Sequence, residues 1–254
     1  MKFSANLGFL WTDRLLPDAI YAAATAGFDA VECHWPYDQD STAVKTALTE
    51  TGLPMLGLNT RRGQPDENGL SALPGRQTEA RAAVDEALAY AVATDTSAVH
   101  VMAGVAEGAE AHAAFVDTLR YACDRAQGRT ILIEPLNGYD APGYFLNTTG
   151  QAAALIKEVG ASNLKLMFDC YHVQLIEGDV THRLETLLPL IGHVQVASVP
   201  DRGAPDHGEL NYAFIWETLA RLDWTRPVGA EYKPGGDTQA SLGWLQAVNE
   251  SALR

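Results

Sequence analysis

The sequence repeats one pattern: short runs of β-strand character alternate with longer stretches of helical period. Eight such runs occur in a chain of 254 residues. They are KFSANL (2–7), DAVECHW (29–35), PMLGLNT (54–60), AVHVMAG (98–104), TILIEPL (130–136), LKLMFDCYH (164–172), HVQVASV (193–199) and VGAEYKP (228–234). Eight strands, each followed by a helix, predict a (β/α)8 TIM barrel. The alternative is an open doubly wound sheet, but the first turn, NLGFLWTD, carries no glycine-rich phosphate-binding pattern.

The segments between the runs are rich in Ala and Leu, and no linker, repeat or low-complexity tract interrupts them. Helices are predicted at residues 16–26, 79–93, 112–126, 151–159 and 214–221. One domain over residues 1–254 is the simplest organisation. Two long loops follow the third and seventh runs, TRRGQPDENGLSALPGRQ and PDRGAPDHGELNY. Loops of this length are usually lids or binding loops, and both follow strands on the side where barrel enzymes build their active sites.

Polar side chains stand where the predicted strands end. The run ILIEPLNG ends its apolar part at Glu134, and VGAEYKP repeats the arrangement at Glu231. A buried carboxylate is costly unless a partner or a metal ion compensates its charge. The complete set comes from all eight strands: Asn6, Glu32, His34, Asn59, His100, Glu134, Asp169, His172, Gln195 and Glu231. A closed barrel would bring these groups together at one mouth, so we expect the functional site there.

Four of these residues form a set of oxygen donors on successive strands: Glu134, Asp169, Gln195 and Glu231. Three carboxylates and an amide oxygen suit a hard divalent ion, Mg²⁺ or Mn²⁺, better than zinc or copper. One alternative is that each carboxylate pairs with a cation, although these strand ends offer little besides Lys233. A second is that His193 replaces Gln195 as a ligand, since both face the same side of a strand. We prefer Gln195, because it lies nearer the mouth.

Charge and composition exclude several classes of protein. The formal net charge of −14 repels phosphate backbones, so neither nucleic acid nor an acidic membrane is an expected partner. No stretch approaches the roughly 18 apolar residues of a membrane span, and the start lacks the features of a signal peptide. We therefore expect a cytoplasmic protein. Three scattered cysteines predict buried thiols and neither a disulfide framework nor a thiolate zinc site.

Long phrases in this sequence resemble the hydroxypyruvate isomerase family, which includes the 2-oxo-tetronate isomerases and belongs to the xylose-isomerase-like TIM barrels. The phrases are NLGFLWTD, AGFDAVECHWPYD, ALPGR, IEPLN, PGYFLNTT, NLKLMFDCYHVQLIEGD, IGHVQVASVPDRGAPDHGELNY and GAEYKP. They occur in order over nearly the whole chain. The resemblance implies a divalent metal ion held by Glu134, Asp169, Gln195 and Glu231, with Glu134 and Glu231 also acting as the acid/base pair. Related sugar epimerases have a His where Gln195 stands.

The resemblance also implies substrate contacts. His172 matches a substrate-binding His that lies three residues after the Asp ligand. Arg202 is the best match to a substrate-binding Arg, although its offset from Gln195 is one residue longer than in the epimerases. His100 and Asp140 are further expected contacts.

The implied activity is the metal-dependent interconversion of hydroxypyruvate and tartronate semialdehyde, by proton transfer through an enediolate. Alternatives with the same chemistry are a 2-oxo-tetronate isomerase and a ketose 3-epimerase. Alternatives from other classes are a metal-dependent barrel endonuclease acting on abasic DNA and a non-catalytic sugar-acid binding protein. The expected partner is a small hydroxy-oxo acid or sugar, and whether the chain forms a homo-oligomer stays open.

Overall fold

The computed structural model describes residues 1–251, with side chains for residues 1–248, and over this range the chain forms a barrel of eight parallel strands. The strands are β1 (Phe3–Asn6), β2 (Ala30–Glu32), β3 (Gly57–Asn59), β4 (Ala98–His100), β5 (Thr130–Ile133), β6 (Leu164–Asp169), β7 (Ile191–Val196) and β8 (Val228–Ala230). The last three residues of the expected domain lie outside the described residues. The single-domain TIM barrel predicted from the alternating pattern is confirmed.

Backbone contacts at one seam close the barrel. The hydrogen-bonded order is β2-β1-β8-β7-β6-β5-β4-β3, which leaves β2 and β3 as the two outer members. Val31 of β2 forms a parallel bridge with Met55, two residues before β3 begins. The Val31 amide donates to Pro54 O at 3.0 Å, and the Leu56 amide donates to Val31 O at 2.8 Å. Because the sheet closes on itself, the carboxyl ends of all eight strands surround one mouth.

Helices cover the outside of the barrel. They are α1 (Leu16–Ala26), α2 (Ser41–Thr51), α3 (Gln77–Thr94), α4 (Gly108–Arg125), α5 (Thr149–Val159), α6 (Cys170–Ile176), α7 (Val180–Leu187), α8 (Tyr212–Arg221) and α9 (Gly243–Ser251). Local chemistry sets their ends. The Thr148 side chain accepts a hydrogen bond from the Gln151 amide at the start of α5, and Gly160 ends that helix in the left-handed region at φ 72°. None of the helices among the described residues combines the length and apolar character that crossing a bilayer requires.

The sixth strand differs from the sequence prediction. The pattern predicts one strand over 164–172, but β6 ends at Asp169 and α6 begins at Cys170. Asp169 is the N-cap of α6, and its Oδ1 accepts the Tyr171 amide hydrogen bond at 2.9 Å. An apolar run continues through this boundary, so the pattern alone could not separate the strand from the helix. The consequence is that Asp169 and His172 both lie at the mouth of the barrel.

Candidate active site at the mouth of the barrel

Four buried oxygen donors lie at the carboxyl ends of neighbouring strands. Glu134 follows β5, Asp169 ends β6, Gln195 lies in β7 and Glu231 follows β8. Their exposed fractions are 5%, 1%, 3% and 6%. Each has one side-chain oxygen without a hydrogen-bond partner among the described residues: Glu134 Oε1, Asp169 Oδ2, Gln195 Oε1 and Glu231 Oε2. Hard oxygen atoms that lack protein partners fit a divalent cation such as Mg²⁺ or Mn²⁺.

The electrostatics of the site favour an added positive charge. Burial, together with the negative charges of Glu231 and Asp169, raises the pKa of Glu134 well above its usual value. Burial and the charge of Glu231 raise the pKa of Asp169 to about 7. Arg202 opposes both shifts but does not cancel them. A cation among these groups would relieve their mutual repulsion and favour their ionised forms.

Glu32, at the end of β2, orients the Gln195 side chain through a hydrogen bond. Its carboxylate accepts four hydrogen bonds: at Oε1 from Gln195 Nε2 at 2.8 Å and from Asn6 Nδ2 at 3.0 Å, and at Oε2 from His193 Nε2 at 2.6 Å and from Ser4 Oγ at 3.1 Å. Burial acts to raise the pKa of Glu32, but the charge of His193 and these hydrogen bonds lower it overall. Glu32 therefore remains ionised, and its oxygens are already occupied by protein donors.

This arrangement separates the roles of His193 and Gln195. Both side chains point into the barrel from β7, as their spacing predicts. The His193 Nε2 is bound to Glu32, whereas the Gln195 amide donates to Glu32 and leaves its oxygen without a partner among the described side chains. The backbone of Gly229 passes close to this pair, because a Cβ built there would lie 2.7 Å from Glu32 Oε1 and 2.8 Å from Gln195 Cγ. Glycine on β8 leaves room for the pair.

The side chain of His172 is fixed as a hydrogen-bond donor. Its Nδ1 lies 3.1 Å from the Asn137 backbone nitrogen and 2.8 Å from Asn137 Nδ2. A backbone N–H can only donate, so Nδ1 accepts, and the hydrogen of the neutral ring is on Nε2. Burial and the charge of Arg202 lower the pKa of His172 well below its usual value, which keeps the ring neutral. Nε2 lies 3.9 Å from Glu134 Oε1 and 3.8 Å from Asp169 Oδ2.

The position of this hydrogen bears on whether His172 can bind a metal ion. The nearest potential ligand atoms of Glu134, Asp169 and His172 all lie within 4.8 Å of one another. Distance alone would allow all three to be ligands. Because the N–H of His172 points at the carboxylates, this side chain is better suited to donate to a substrate oxygen than to coordinate a cation.

Arg202 brings a positive charge to the same pocket. Its Nη1 lies 3.3 Å from Asp140 Oδ2, and its Nη2 lies 3.8 Å from Asp169 Oδ2 and 3.6 Å from Glu231 Oε1. The guanidinium lies between the rings of Phe9 and Tyr171, 4.9 Å from each centroid. Stacking and ion pairing together fix its orientation.

His34 and His100 both line the wall of the pocket but have different contacts. His34 Nε2 lies 2.8 Å from Glu231 Oε1, so His34 orients one of the two glutamates. Neither ring nitrogen of His100 has a hydrogen-bond partner among the described residues, and its Nδ1 is 3.7 Å from Glu134 Oε2. Burial and the charge of His34 lower the pKa of His100 to about 3. His100 is therefore a neutral group that is free to contact a ligand.

A cavity of about 180 Å³ connects these groups. Its lining contains most of the residues expected from the sequence, namely His100, Glu134, Asp140, His172, Arg202 and Glu231. Asp169 and Gln195 are not among its lining residues. Asp169 Oδ2 lies 3.8 Å from His172 Nε2 and from Arg202 Nη2, both of which belong to lining residues. The lining also includes Phe9, His34, Trp35, Asn59, Arg62, Asn68, Met102, Leu136 and Ala141.

Three contributors to the site have supporting roles that the sequence does not predict. Glu32 and His34 stand out only as polar residues at strand ends, and their contacts to Gln195 and Glu231 depend on neighbouring strands. Asn137, three residues beyond Glu134, is not singled out at all. Its Oδ1 accepts the Asp140 amide at 3.0 Å while its two nitrogens bind His172, so it positions two expected substrate contacts. The polar residue directly after IEPL is the only available signal.

Comparison with known proteins agrees with this architecture. The family model described as xylose isomerase-like TIM barrel matches residues 20–248. The chain belongs to the xylose isomerase-like TIM barrel family. Within this family it is 42% identical to the 2-oxo-tetronate isomerase of Cupriavidus necator over 253 residues, covering 96% of this chain and 97% of that protein. It is 36% identical to the hydroxypyruvate isomerase of Escherichia coli K12, covering 96% of this chain and 98% of that protein.

Solved structures show the same barrel. A Brucella melitensis structure named AP endonuclease, family 2, has a TM-score of 0.93 and 37% identity, with 97% of this chain and 98% of that chain covered. D-psicose 3-epimerase of Clostridium cellulolyticum H10, solved with D-tagatose, has a TM-score of 0.80 at 18% identity and covers 98% of this chain and 99% of that chain. The second match supports the fold alone. The resemblance to the xylose isomerase-like family inferred from sequence phrases is confirmed.

Proposed function

We propose that this protein is a metal-dependent isomerase that interconverts hydroxypyruvate and tartronate semialdehyde by proton transfer through an enediolate. The observation that carries the proposal is the set of four unpartnered oxygens on Glu134, Asp169, Gln195 and Glu231 at one mouth. The full-length relatives named hydroxypyruvate isomerase and 2-oxo-tetronate isomerase indicate an isomerase enzyme.

The metal ion is proposed to bind Glu134, Asp169, Gln195 and Glu231. When bound, Mg²⁺ or Mn²⁺ would supply the positive charge that stabilises negative charge developing on substrate oxygens. Glu32 and His34 support this set by holding Gln195 and Glu231 in place. Partners of this kind orient ligands and tune their affinity in other metal proteins.

The two glutamates are proposed to move the proton. One removes a proton from C3 of hydroxypyruvate, which forms the C2–C3 double bond of the enediolate, and the other supports protonation at C2. The hydroxyl proton at O3 is transferred to solvent or a side chain when the aldehyde forms, and O2 takes up a proton to become the hydroxyl group of the product. Glu134 and Glu231 follow β5 and β8, so they approach a bound molecule from different parts of the rim. Positioned acid/base groups of this type contribute on the order of 10²–10⁴-fold each.

His172, Arg202, His100 and Asp140 are proposed to hold the substrate. The Nε2–H of His172 can donate to a substrate oxygen, as can the guanidinium of Arg202. Asp140 accepts from Arg202 at 3.3 Å and so fixes its direction. His100 remains neutral because of its low pKa, and it can donate or accept without adding charge.

The size of the cavity favours a short substrate. Pockets for drug-sized ligands are about 300–1,000 Å³, and the cavity here is about 180 Å³. A three- or four-carbon acid suits this volume better than a six-carbon ketose. The alternative of a DNA-directed enzyme, suggested by the name of the Brucella protein, is disfavoured by the net charge of −14.

A substrate panel tests the proposal. The protein is assayed with hydroxypyruvate, four-carbon 2-oxo-tetronates and free ketoses in the presence of Mg²⁺ or Mn²⁺, and then with excess EDTA. Hydroxypyruvate should give the highest kcat/KM, and EDTA should abolish turnover. Preference for a four-carbon acid would change the substrate but keep the chemistry, whereas full activity in EDTA would exclude metal dependence.

A further inference from the structure

A second arginine lines the pocket, on the opposite side from Arg202. Arg62 lies in the long segment between β3 and α3, and it borders the cavity together with Trp35 and Asn68. Its guanidinium lies 5.1 Å from the ring centroid of Trp35, and its Nη2 donates a hydrogen bond to Asn68 Oδ1. Both partners are uncharged.

The two arginines differ in how their charge is used. Arg202 already lies within 4 Å of Asp140, Asp169 and Glu231, so its charge is shared among three carboxylates. Among the described residues, no carboxylate forms an ion pair with Arg62. Its charge is therefore available to a ligand in the pocket.

The backbone around Arg62 is fixed against the barrel. Gly69 N donates to Arg62 O at 2.7 Å, and Gly69 pairs with Ala103 beyond β4. Ala72 N donates to Ala103 O at 2.7 Å, and Val105 N donates to Glu67 O at 2.9 Å. These bonds join both halves of the segment to the region after β4. They fix the backbone that carries Arg62, and the contacts to Trp35 and Asn68 hold its exposed guanidinium at the rim, so that less ordering is required when a ligand binds.

The acidity of the remaining pocket favours an additional cation for the binding of an acidic substrate. Glu134 and Glu231 face the same cavity as Asp140, and together they would repel a carboxylate. A planar guanidinium binds a carboxylate through two parallel hydrogen bonds, which supplies direction as well as charge.

We propose that Arg62 binds the carboxylate of the substrate and makes the site selective for short hydroxy-oxo acids over uncharged hydroxyketones. This inference rests on the proposed function, because it assigns the acidic end of the same substrate. Trp35 and Asn68 are positioning residues. The Trp35 ring packs near the guanidinium, and Asn68 Oδ1 accepts a hydrogen bond from its Nη2.

The neighbouring arginine provides a matched control. Arg61 forms a two-bond ion pair with Glu86, at 2.7 and 3.0 Å, and its guanidinium lies 4.7 Å from the ring centroid of Tyr37. It is not among the described residues that line the cavity. Arg61→Ala and Arg62→Ala each remove one positive charge, at neighbouring positions. Arg62→Lys keeps the charge but loses the two parallel N–H donors of the guanidinium.

Two substrates of equal length separate charge recognition from catalysis. Hydroxypyruvate carries a carboxylate where dihydroxyacetone carries an uncharged hydroxymethyl group. Arg62→Ala should raise KM for hydroxypyruvate roughly 10- to 100-fold, the usual effect of losing a charge-assisted pair. It should change turnover of dihydroxyacetone less than about threefold, and Arg62→Lys should fall between wild type and Arg62→Ala. Arg61→Ala should resemble wild type with both substrates.

A binding measurement keeps the test independent of turnover. The metal-loaded protein is titrated calorimetrically with D-glycerate and with glycerol. Arg62→Ala should weaken D-glycerate binding at least tenfold and leave glycerol binding unchanged, with thermal unfolding used to verify that each variant is folded. Equal binding of D-glycerate to the Arg61 and Arg62 variants would overturn the inference, even if the enzyme isomerises hydroxypyruvate. Selective loss of D-glycerate binding in a protein that does not isomerise hydroxypyruvate would retain the carboxylate site and reject the proposed reaction.

Discussion

The side-chain amide of Gln195 donates a hydrogen bond of 2.8 Å from Nε2 to Oε1 of Glu32. An amide has one donating end and one accepting end, so this bond determines which end faces the cavity. The accepting oxygen is the end that remains without a partner among the described residues. Glu32 thereby orients Gln195 so that its oxygen joins those of three carboxylates.

Gln195→Ala should weaken divalent-metal binding more than His193→Ala. Removal of Gln195 deletes one of the four oxygen donors, and we expect a loss of roughly 100-fold. His193 acts only through Glu32, to which it is bound at 2.6 Å, so its loss should cost about tenfold or less. Calorimetric titration of both variants with Mn²⁺ measures the difference. The reverse order would place the metal one layer deeper in the barrel, at His193.

The alternating pattern is sufficient to predict the barrel, because the runs of strand character occur eight times and stretches of a different, helical period lie between them. The run at residues 164–172 shows where the pattern fails. Cys170 and Tyr171 are as apolar as a strand requires, but Asp169 accepts the Tyr171 amide at 2.9 Å and starts a helix instead. The end of β6 therefore depends on a side-chain hydrogen bond, which the pattern of apolar residues does not predict.

The site could be located from the sequence, but its supporting contacts could not. Glu134 and Glu231 stand out because each interrupts an apolar strand end. The function of Glu32 depends on two other strands, β1 with Ser4 and Asn6 and β7 with His193 and Gln195, which supply its hydrogen-bond donors. The register of those strands determines which side chains meet, and it is fixed by tertiary packing.

Metal ions should stabilise the fold more at pH 8 than at pH 5.5. Burial and Glu231 raise the pKa of Asp169 to about 7 from a reference value of 3.8. Below the reference value the group is protonated in both folded and unfolded chains and has no effect. As pH rises from about 3.8 to about 7, the unfolded chain releases this proton before the folded chain does, so the folded protein loses stability over that range. The loss reflects burial of the ionised group and its repulsion by Glu231, and it levels off above about pH 7. A bound cation offsets this repulsion and competes better when fewer protons are present.

The measurement is thermal unfolding with MgCl₂ or EDTA at the two pH values. Mg²⁺ at 100 times its Kd stabilises by about 2.7 kcal/mol, which corresponds to a Tm increase of roughly 5–10 °C for a chain of this size. Asp169→Asn removes the titrating group and should reduce the difference between the two pH values. A larger shift at pH 5.5 than at pH 8 would contradict the assignment, as would no shift at either.

His207 should stabilise the turn that carries Arg202 in a pH-dependent way. Its Nδ1 lies 2.7 Å from Asp206 Oδ1 and its Nε2 lies 2.9 Å from Asp201 Oδ2. Hydrogen bonds to Asp206 and Asp201 raise the pKa of His207 above 6.5. The stabilisation is complete below the unfolded value and is lost as pH rises through the folded value. Solvent screens the half-exposed ring, so His207→Ala should lower Tm by about 1–3 °C at pH 6 and by less at pH 9. Equal losses at both pH values would exclude the charged pair.

The amide variants of the two glutamates address proton transfer. The Glu134→Gln and Glu231→Gln side chains keep an oxygen that can bind a metal ion. An amide cannot act as a general base, so these variants cannot take up the substrate proton. Each variant should lose on the order of 10²–10⁴-fold in kcat while retaining measurable Mn²⁺ binding. Glu110→Gln makes the same change at an exposed position in the first turn of α4 and should keep wild-type activity.

Isotope incorporation then distinguishes the two ways in which hydrogen can move. If one glutamate removes the proton and the other supports protonation at C2, exchange of these groups with solvent should place deuterium on C2 of tartronate semialdehyde during turnover in D₂O. A direct hydride shift would leave that carbon free of solvent deuterium. Glu231 Oε1 is held at 2.8 Å by His34, whereas Glu134 Oε1 has no hydrogen-bond partner among the described residues, so the two carboxylates are held differently at the rim. Deuterium in the product together with loss of activity in the amide variants supports proton transfer, whereas product free of solvent deuterium leaves either a hydride shift or a fully shielded proton. An active Glu134→Gln or Glu231→Gln enzyme would remove that glutamate from the mechanism.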